Sequence, residues 1–157
     1  MLMRGVWHAS ETLIDGSWPR TNLMGQEISG KNMGLIGFGS IAREVAERSR
    51  ALGMKVFAYD PYLPANDPAW LNIHQTDTKF DLAKNCDVIS IHVPLTKETH
   101  QLIDANFIDK MRSGAILINA ARGGIVDESA LIKALSEKKL RGAALDVFTD
   151  EPLRSEN

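Results

Sequence analysis

The sequence predicts an α/β protein with a doubly wound parallel sheet, and three observations predict it. Apolar runs of strand length alternate with helical patterns along most of the chain. Two of those runs, Asp87 to Val93 and Ala115 to Asn119, read as buried strands of the kind a sheet covered on both faces uses. A glycine turn joins the first apolar run directly to a helix, as in a βαβ unit.

Taken in order, residues 1 to about 15 read as a helix, with Leu2, Val6, Leu13 and Ile14 recurring around it and Gly16 ending it. Gly16 to Lys31 is then a loop containing Trp18, Pro19, Asn22, Gly25 and Gly30. Trp18 and Met24 in such a loop need burial, which either a subunit interface or packing within the chain would supply. Residues 1–30 are therefore read as a helix and loop arm and a candidate dimer contact. Residues 31–157 are read as the sheet core.

Met33-Gly34-Leu35-Ile36 has the length of a buried strand. Gly37-Phe38-Gly39-Ser40-Ile41-Ala42 follows, a G-x-G-x-x-A turn leading into a helix in which Ile41, Val45, Ala46 and Leu52 recur and Gly53 is the stop. Lys55 to Tyr59 is a second apolar run and ends in Asp60. Strand, glycine turn, helix, strand and terminal acid make up the dinucleotide fingerprint in its proper setting. Gly37 lets the chain turn tightly, Gly39 lets backbone N–H groups approach a pyrophosphate, and Ala42 lets the helix pack closely. The phosphates would sit at the helix N-terminus, where unpaired N–H groups and the dipole favour anions. The Asp60 carboxylate suits a ribose hydroxyl and would repel a 2′-phosphate, which points to NAD rather than NADP. The alternative, a turn serving packing alone, leaves the surrounding strand, helix and acid unexplained.

Asp60-Pro61-Tyr62-Leu63-Pro64 then breaks the chain sharply. Leu71-Asn72-Ile73 is read as a short strand, and Thr78 or Asp81 as the start of a brief helix through Lys84. Pro94-Leu95-Thr96 closes the Asp87–Val93 strand. A helix runs from Asp104 to Met111 with Gly114 at its end. Asp127 caps a helix through about Lys138, and Gly142 to Val147 gives the last strand.

Composition excludes several classes. The chain has 44% hydrophobic and 24% charged residues, as soluble globular proteins do. A net charge of −2 gives no electrostatic case for nucleic acid or an acidic membrane surface. No apolar run is long enough for a membrane span, and no metal site is assigned. The single cysteine, Cys86, rules out an internal disulfide and reads as buried and inert, which suits a reducing, cytoplasmic setting.

Ligands of such sheets bind beyond the strand C-termini. There Asn119-Ala120-Ala121-Arg122-Gly123-Gly124 brings an arginine to the crevice rim. Its planar guanidinium suits a small carboxylate, while a surface arginine, or one paired with a nearby acid, is the plainer reading. Asp146 lies in the last strand pattern and could accept a hydrogen bond from a carboxamide. Glu151 could orient a histidine and raise its pKa. Asp150 reads as a solvated acid.

Four segments together resemble the coenzyme-binding domain of the D-isomer-specific 2-hydroxyacid dehydrogenases. They are Gly37 to Ala42 with Asp60, His92-Val93-Pro94-Leu95-Thr96 with Thr99, Asn119 to Asp127, and Leu145-Asp146-Val147-Phe148 with Glu151-Pro152. The resemblance implies a Rossmann-type NAD-binding domain in an oxidoreductase that moves a hydride between nicotinamide and a small 2-hydroxy or 2-keto acid. It implies that Ser40 and Ile41 meet the pyrophosphate and that Asp60 holds the adenosine ribose. Val93, Pro94 and Thr99 would line the cofactor cleft, and Ala120, Ala121 and Asp146 would hold the nicotinamide end. Arg122 would bind the substrate carboxylate and carbonyl oxygen, and Glu151 would pair with the catalytic histidine. A homodimer is also implied, and the charge balance given above leaves no nucleic-acid or membrane partner expected.

The sequence departs from the family pattern at two places. Ser40 stands where many members have arginine, which removes a charge near the phosphates. No histidine follows His100, whereas the family's catalytic histidine lies downstream of the glutamate. His92 and His100 are poor substitutes, and His8 and His74 read as surface or packing residues. The family's substrate domain is not represented, so a fragment, partial gene product or trimmed form is expected, inactive alone. A non-catalytic, NAD-responsive protein-binding module of the corepressor type is the second reading.

Overall fold

The structure, a computed structural model, describes residues 2–4, 9–18 and 24–152, the side chain of Glu11 excepted. Its centre is one six-stranded sheet, all parallel, of β1 (Asn32–Ile36), β2 (Lys55–Tyr59), β3 (His74–Gln75), β4 (Val88–Ile91), β5 (Ala115–Asn119) and β6 (Leu140–Leu145). The spatial order is β3-β2-β1-β4-β5-β6. Met33 of β1 lies beside Val56 on one side and Val88 on the other. The order therefore reverses between β1 and β4, and the connections leaving their C-terminal ends diverge to leave a crevice.

The helices are α1 (Ala9–Ile14), α2 (Ser40–Ala51), α3 (Lys79–Asn85), α4 (Ala105–Lys110) and α5 (Glu128–Ser136), with short 3-10 turns at Leu2–Arg4 and Pro68–Trp70. Helices α3, α4 and α5 cover one sheet face through Leu82, Ala83, Phe107, Ile108, Leu131 and Ala134. On the other face Ala42 and Ala46 of α2 join Trp70 and Met3. Ala42 is fully buried, as close helix–sheet contact requires. Gly34 is equally constrained, because a Cβ there would lie 2.8 Å from the Cys86 Sγ atom. Helix starts follow the expected chemistry: Thr78, Asp104 and Asp127 accept from the N–H groups of Asp81, Phe107 and Ala130. Cys86 is buried, and burial pushes its thiol up to about 12.

The doubly wound parallel sheet read from the sequence is present, with local differences. Of the helix expected over residues 1–15, the described residues form two pieces of different type. Leu2–Arg4 is a 3-10 turn whose Met3 is buried and whose Met3 carbonyl accepts from Gln26 N–H and from Arg141 Nη2, and α1 covers only Ala9–Ile14. Val6, His8, Pro19 and Asn22 lie outside the described residues. Leu71-Asn72-Ile73 is not a strand, since Asn72 takes a left-handed φ of 62°, and β3 begins at His74 instead. Trp18 and Met24 are 80% and 77% exposed, so packing within the described chain does not cover them.

Candidate functional site

The glycine turn is shaped by what surrounds each position. Gly37 has φ +85°, and a Cβ there would lie 2.7 Å from the His92 carbonyl oxygen and 2.8 Å from Val93 Cγ1. The turn after β1 is thus pressed against the segment after β4. Gly37 N–H donates to the Tyr59 carbonyl at 2.9 Å, tying the same turn to β2. Phe38 points inward and stacks on Trp70 with centroids 5.2 Å apart, while Arg43 Nε donates to its carbonyl. Gly39 is different: no heavy atom lies within 4 Å of a Cβ built on it. It begins α2 with no side-chain cap, so the first-turn N–H groups near Ser40 and Ile41 face open space.

That space opens into a cleft of about 740 Å³ bounded by Gly37, Gly39, Asp60, Val93, Pro94 and Thr99, and further by Tyr62, Lys79, Phe80, His92 and Leu102. Its size is in the range of small-molecule and cofactor sites. Asp60 spans two of its walls. One carboxylate oxygen accepts from Phe38 N–H at 2.9 Å and the other from Tyr62 N–H at 2.9 Å. A carboxylate has about four lone-pair directions, so acceptor capacity remains for hydroxyl groups. A space reserved above Gly39, an uncapped helix N-terminus and a carboxylate with spare lone pairs suit a dinucleotide.

The segment after β4 is braced internally. Thr99 Oγ1 donates to the Pro94 carbonyl at 2.6 Å and accepts from Thr96 N–H at 2.7 Å. His92 Nε2 lies 3.0 Å from the Oγ of buried Ser90, and burial holds the imidazole below its ordinary pKa. Lys79 Nζ donates to the Leu102 carbonyl at 2.7 Å and lies over Phe80 and Phe107; burial lowers its pKa, opposed by Asp104.

Ala120, Ala121, Arg122, Asp146 and Glu151 lie outside this lining, on the connections after β5 and β6. These two connections are locked together. A Cβ at Gly123 would collide with the Phe148 carbonyl and lie 3.0 Å from Thr149 N. Thr149 donates through its N–H and Oγ1 to Glu128 at 2.7 and 2.9 Å. Asp146 N–H donates to the Asn119 carbonyl, leaving its exposed carboxylate just past the end of β6. Arg122 is exposed and its Nη1 donates to the Ala121 carbonyl at 2.6 Å. Glu151 accepts from Phe148 N–H at 2.8 Å. Arg122 and Glu151 form no ion pair with each other among the described residues.

The sequence reading did not single out Asn119, which is 2% exposed. Its Nδ2 donates to the Arg122 carbonyl at 3.0 Å and its Oδ1 accepts from Ala121 N–H at 3.0 Å, so it shapes the whole arginine turn. A polar residue ending an otherwise apolar strand was the available signal. Among the described residues no cluster of three His, Cys, Asp or Glu could hold a metal, and no helix is long and apolar enough to cross a membrane.

A glycine turn, an uncapped helix and a strand-end acid at the switch point of a parallel sheet define a dinucleotide-binding domain of the dehydrogenase type. Residues 1–157 match the family described as D-isomer specific 2-hydroxyacid dehydrogenase, NAD binding domain, and the chain belongs to that family, whose cofactor is NAD. It is 46% identical over its full length to the (S)-sulfolactate dehydrogenase of Chromohalobacter salexigens and covers 51% of that protein. It is 45% identical to the hydroxypyruvate reductase of Thermotoga maritima, over 95% of this chain and 47% of the relative. The NAD-dependent formate dehydrogenase of Staphylococcus aureus, solved in complex with NAD, superimposes with a TM-score of 0.88 at 30% identity, over 99% of this chain and 47% of that one. The chain thus spans about half the length of these relatives.

Proposed function

We propose that the chain serves an NAD-dependent oxidoreductase acting on a small D-2-hydroxy or 2-keto acid. The observation that carries this is the convergence of the bare Gly39 turn, Asp60 and the Val93–Thr99 segment on one cleft. NAD supplies the hydride acceptor, and NADH the donor in reverse. Gly37 makes the tight turn, Gly39 leaves room for the pyrophosphate, Ser40 and Ile41 meet it through backbone N–H groups, and Asp60 takes the adenosine ribose. Val93, Pro94 and Thr99 wall the cleft. Ala120, Ala121 and Asp146 hold the nicotinamide end. Arg122 exchanges its bond to the Ala121 carbonyl for the substrate carboxylate and carbonyl oxygen, drawing charge toward that oxygen. Glu151 orients a histidine and favours its protonated form.

Relatives named for hydroxypyruvate and sulfolactate support a small acid as substrate. No histidine follows His100, so the 157 residues are expected to bind cofactor with little turnover. Residues 1–30 act as an arm of a cytoplasmic homodimer; exposed Ile14, Trp18 and Met24 support that pairing. Titration with NADH and NADPH tests the reading. NADH should bind at least tenfold more tightly, because the Asp60 carboxylate would meet a 2′-phosphate; equal affinities would overturn it. Reduction of glyoxylate or hydroxypyruvate at ordinary enzyme rates would overturn the histidine argument.

A further inference from the structure

We propose that Lys79 reads the adenine base of the dinucleotide, its ammonium group donating a hydrogen bond to a ring nitrogen. The inference rests on the NAD reading and extends it to the end of the cleft beyond the ribose. The place of Lys79 follows from the strand order. The glycine turn leaves β1, Asp60 follows β2 and α3 begins after β3, so the three stand in that order along one edge of the sheet. With the pyrophosphate at the glycine turn and the ribose at Asp60, the base falls beyond Asp60, toward the start of α3. Lys79 is the first residue of α3, and Pro61, Phe80 and Leu102 line the cleft with it.

The ammonium group is held at this end of the cleft instead of being released to water. Nζ donates to the Leu102 carbonyl at 2.7 Å and lies 5.3 and 5.7 Å from the ring centroids of Phe80 and Phe107, the second of them fully buried. A lysine serving solvation alone would carry its charge outward along its apolar stem. Among the described residues no carboxylate forms an ion pair with it, and it is the one lysine or arginine lining the cleft. An ammonium group has three donors, and the Leu102 carbonyl takes one. Donors left over beside apolar walls cost free energy until an acceptor arrives. At the base end of a dinucleotide the acceptors are the adenine ring nitrogens N1, N3 and N7. A charge-assisted bond to one of them satisfies a donor and fixes the base in its slot.

Three NADH analogues, with carbon in place of adenine N1, N3 or N7, test this. One of the three should bind the wild-type chain on the order of tenfold more weakly than NADH, and the other two should match it. Lys79→Met keeps the length of the side chain and removes its donors. In that variant the penalised analogue should bind as NADH does, because neither ligand then has the contact. Loss of the bond to Leu102 acts on every one of these ligands alike and cannot produce this selective effect. Adenosine monophosphate should weaken on the order of tenfold in Lys79→Met, while nicotinamide mononucleotide keeps its wild-type affinity. Equal weakening of both mononucleotides would mean that Lys79 only straps the cleft, and would overturn the proposal. So would equal binding of NADH and all three analogues by the wild-type chain, which needs no variant, or a penalty that persists in folded Lys79→Met. A wild-type chain that bound neither NADH nor NADPH would overturn the cofactor reading itself, and this contact with it.

Discussion

The glycine turn after β1 and the arginine turn after β5 stand at the same edge of the sheet, with β4 between them, and they are built in opposite ways. At Gly39 side-chain matter is missing and backbone donors are left bare. At Arg122 and Glu151 the charged groups are present but turned onto their own connections, Arg122 to the Ala121 carbonyl and Glu151 to Phe148 N–H. The first site is ready for an anion before one arrives, because rigid backbone holds its donors in place. The second must give up internal hydrogen bonds to engage a ligand, so its affinity depends on what replaces them.

Gly123 gives the harshest test of that contrast. A methyl group there would occupy the position of the Phe148 carbonyl, and neither backbone can move without disturbing β5 or β6. Gly123→Ala should destabilise the fold by about 3 kcal/mol, read as a lowered urea midpoint. A near-neutral result would mean that the two connections are not locked and that Arg122 and Glu151 move independently. Asn119→Ala comes next, at about 2 kcal/mol, because it leaves Ala121 N–H and the Arg122 carbonyl without their buried partner. Backbone order parameters at residues 120–122 should fall in that variant while those at 37–39 stay unchanged. Loss at both turns would show that they form one unit.

Gly39→Ala sharpens the comparison from the other side. Gly39 has φ −74°, which alanine adopts without strain, and nothing lies near the added methyl. Stability should therefore change by less than about 0.5 kcal/mol, while NADH affinity falls about tenfold or more because the methyl occupies the phosphate space. Equal losses in stability and binding would mean that the space serves packing.

How much of this was legible in the sequence depends on where the determining contacts lie. Strands β2 and β5 could be read to the residue because an apolar run and its flanking breakers are local signals. The caps at Asp104 and Asp127 were legible for the same reason, since a carboxylate and an N–H group a few residues on decide them. Strand β3 was misread because His74 and Gln75 carry no apolar pattern. They are held by pairing with Phe57 and Ala58 and by stacking of His74 on Phe57. The first residues have helical register, yet the buried Met3 and its bonds to Gln26 and Arg141 override it. At the site, the glycines and Asp60 were readable as a motif. The hydrogen bonds of Asp60 to Phe38 and Tyr62, the Asn119 brace and the position of Lys79 in the cleft were not, because each depends on a partner distant in the chain or on a loop shape that only the fold supplies.

The smallest effect concerns His92, which separates a dry cleft from a wet one. Burial holds its imidazole below the ordinary value of 6.5. The unfolded chain takes up a proton near pH 6.5 and the folded chain does so only at lower pH, so the stability contributed by neutral His92 is complete above 6.5 and is lost as pH falls through that value toward the folded one. Lys79, Asp60 and Glu98 share the cleft, and His74 and His100 are exposed. Thermal midpoints at pH 7.5 and 5.5 should therefore fall further for wild type than for His92→Gln. If the two proteins lose stability equally, water reaches the imidazole. The segment after β4 would then be as solvated as the arginine turn, and the contrast between a preformed cleft and a self-satisfied ionic site would narrow to Gly39 and Asp60 alone.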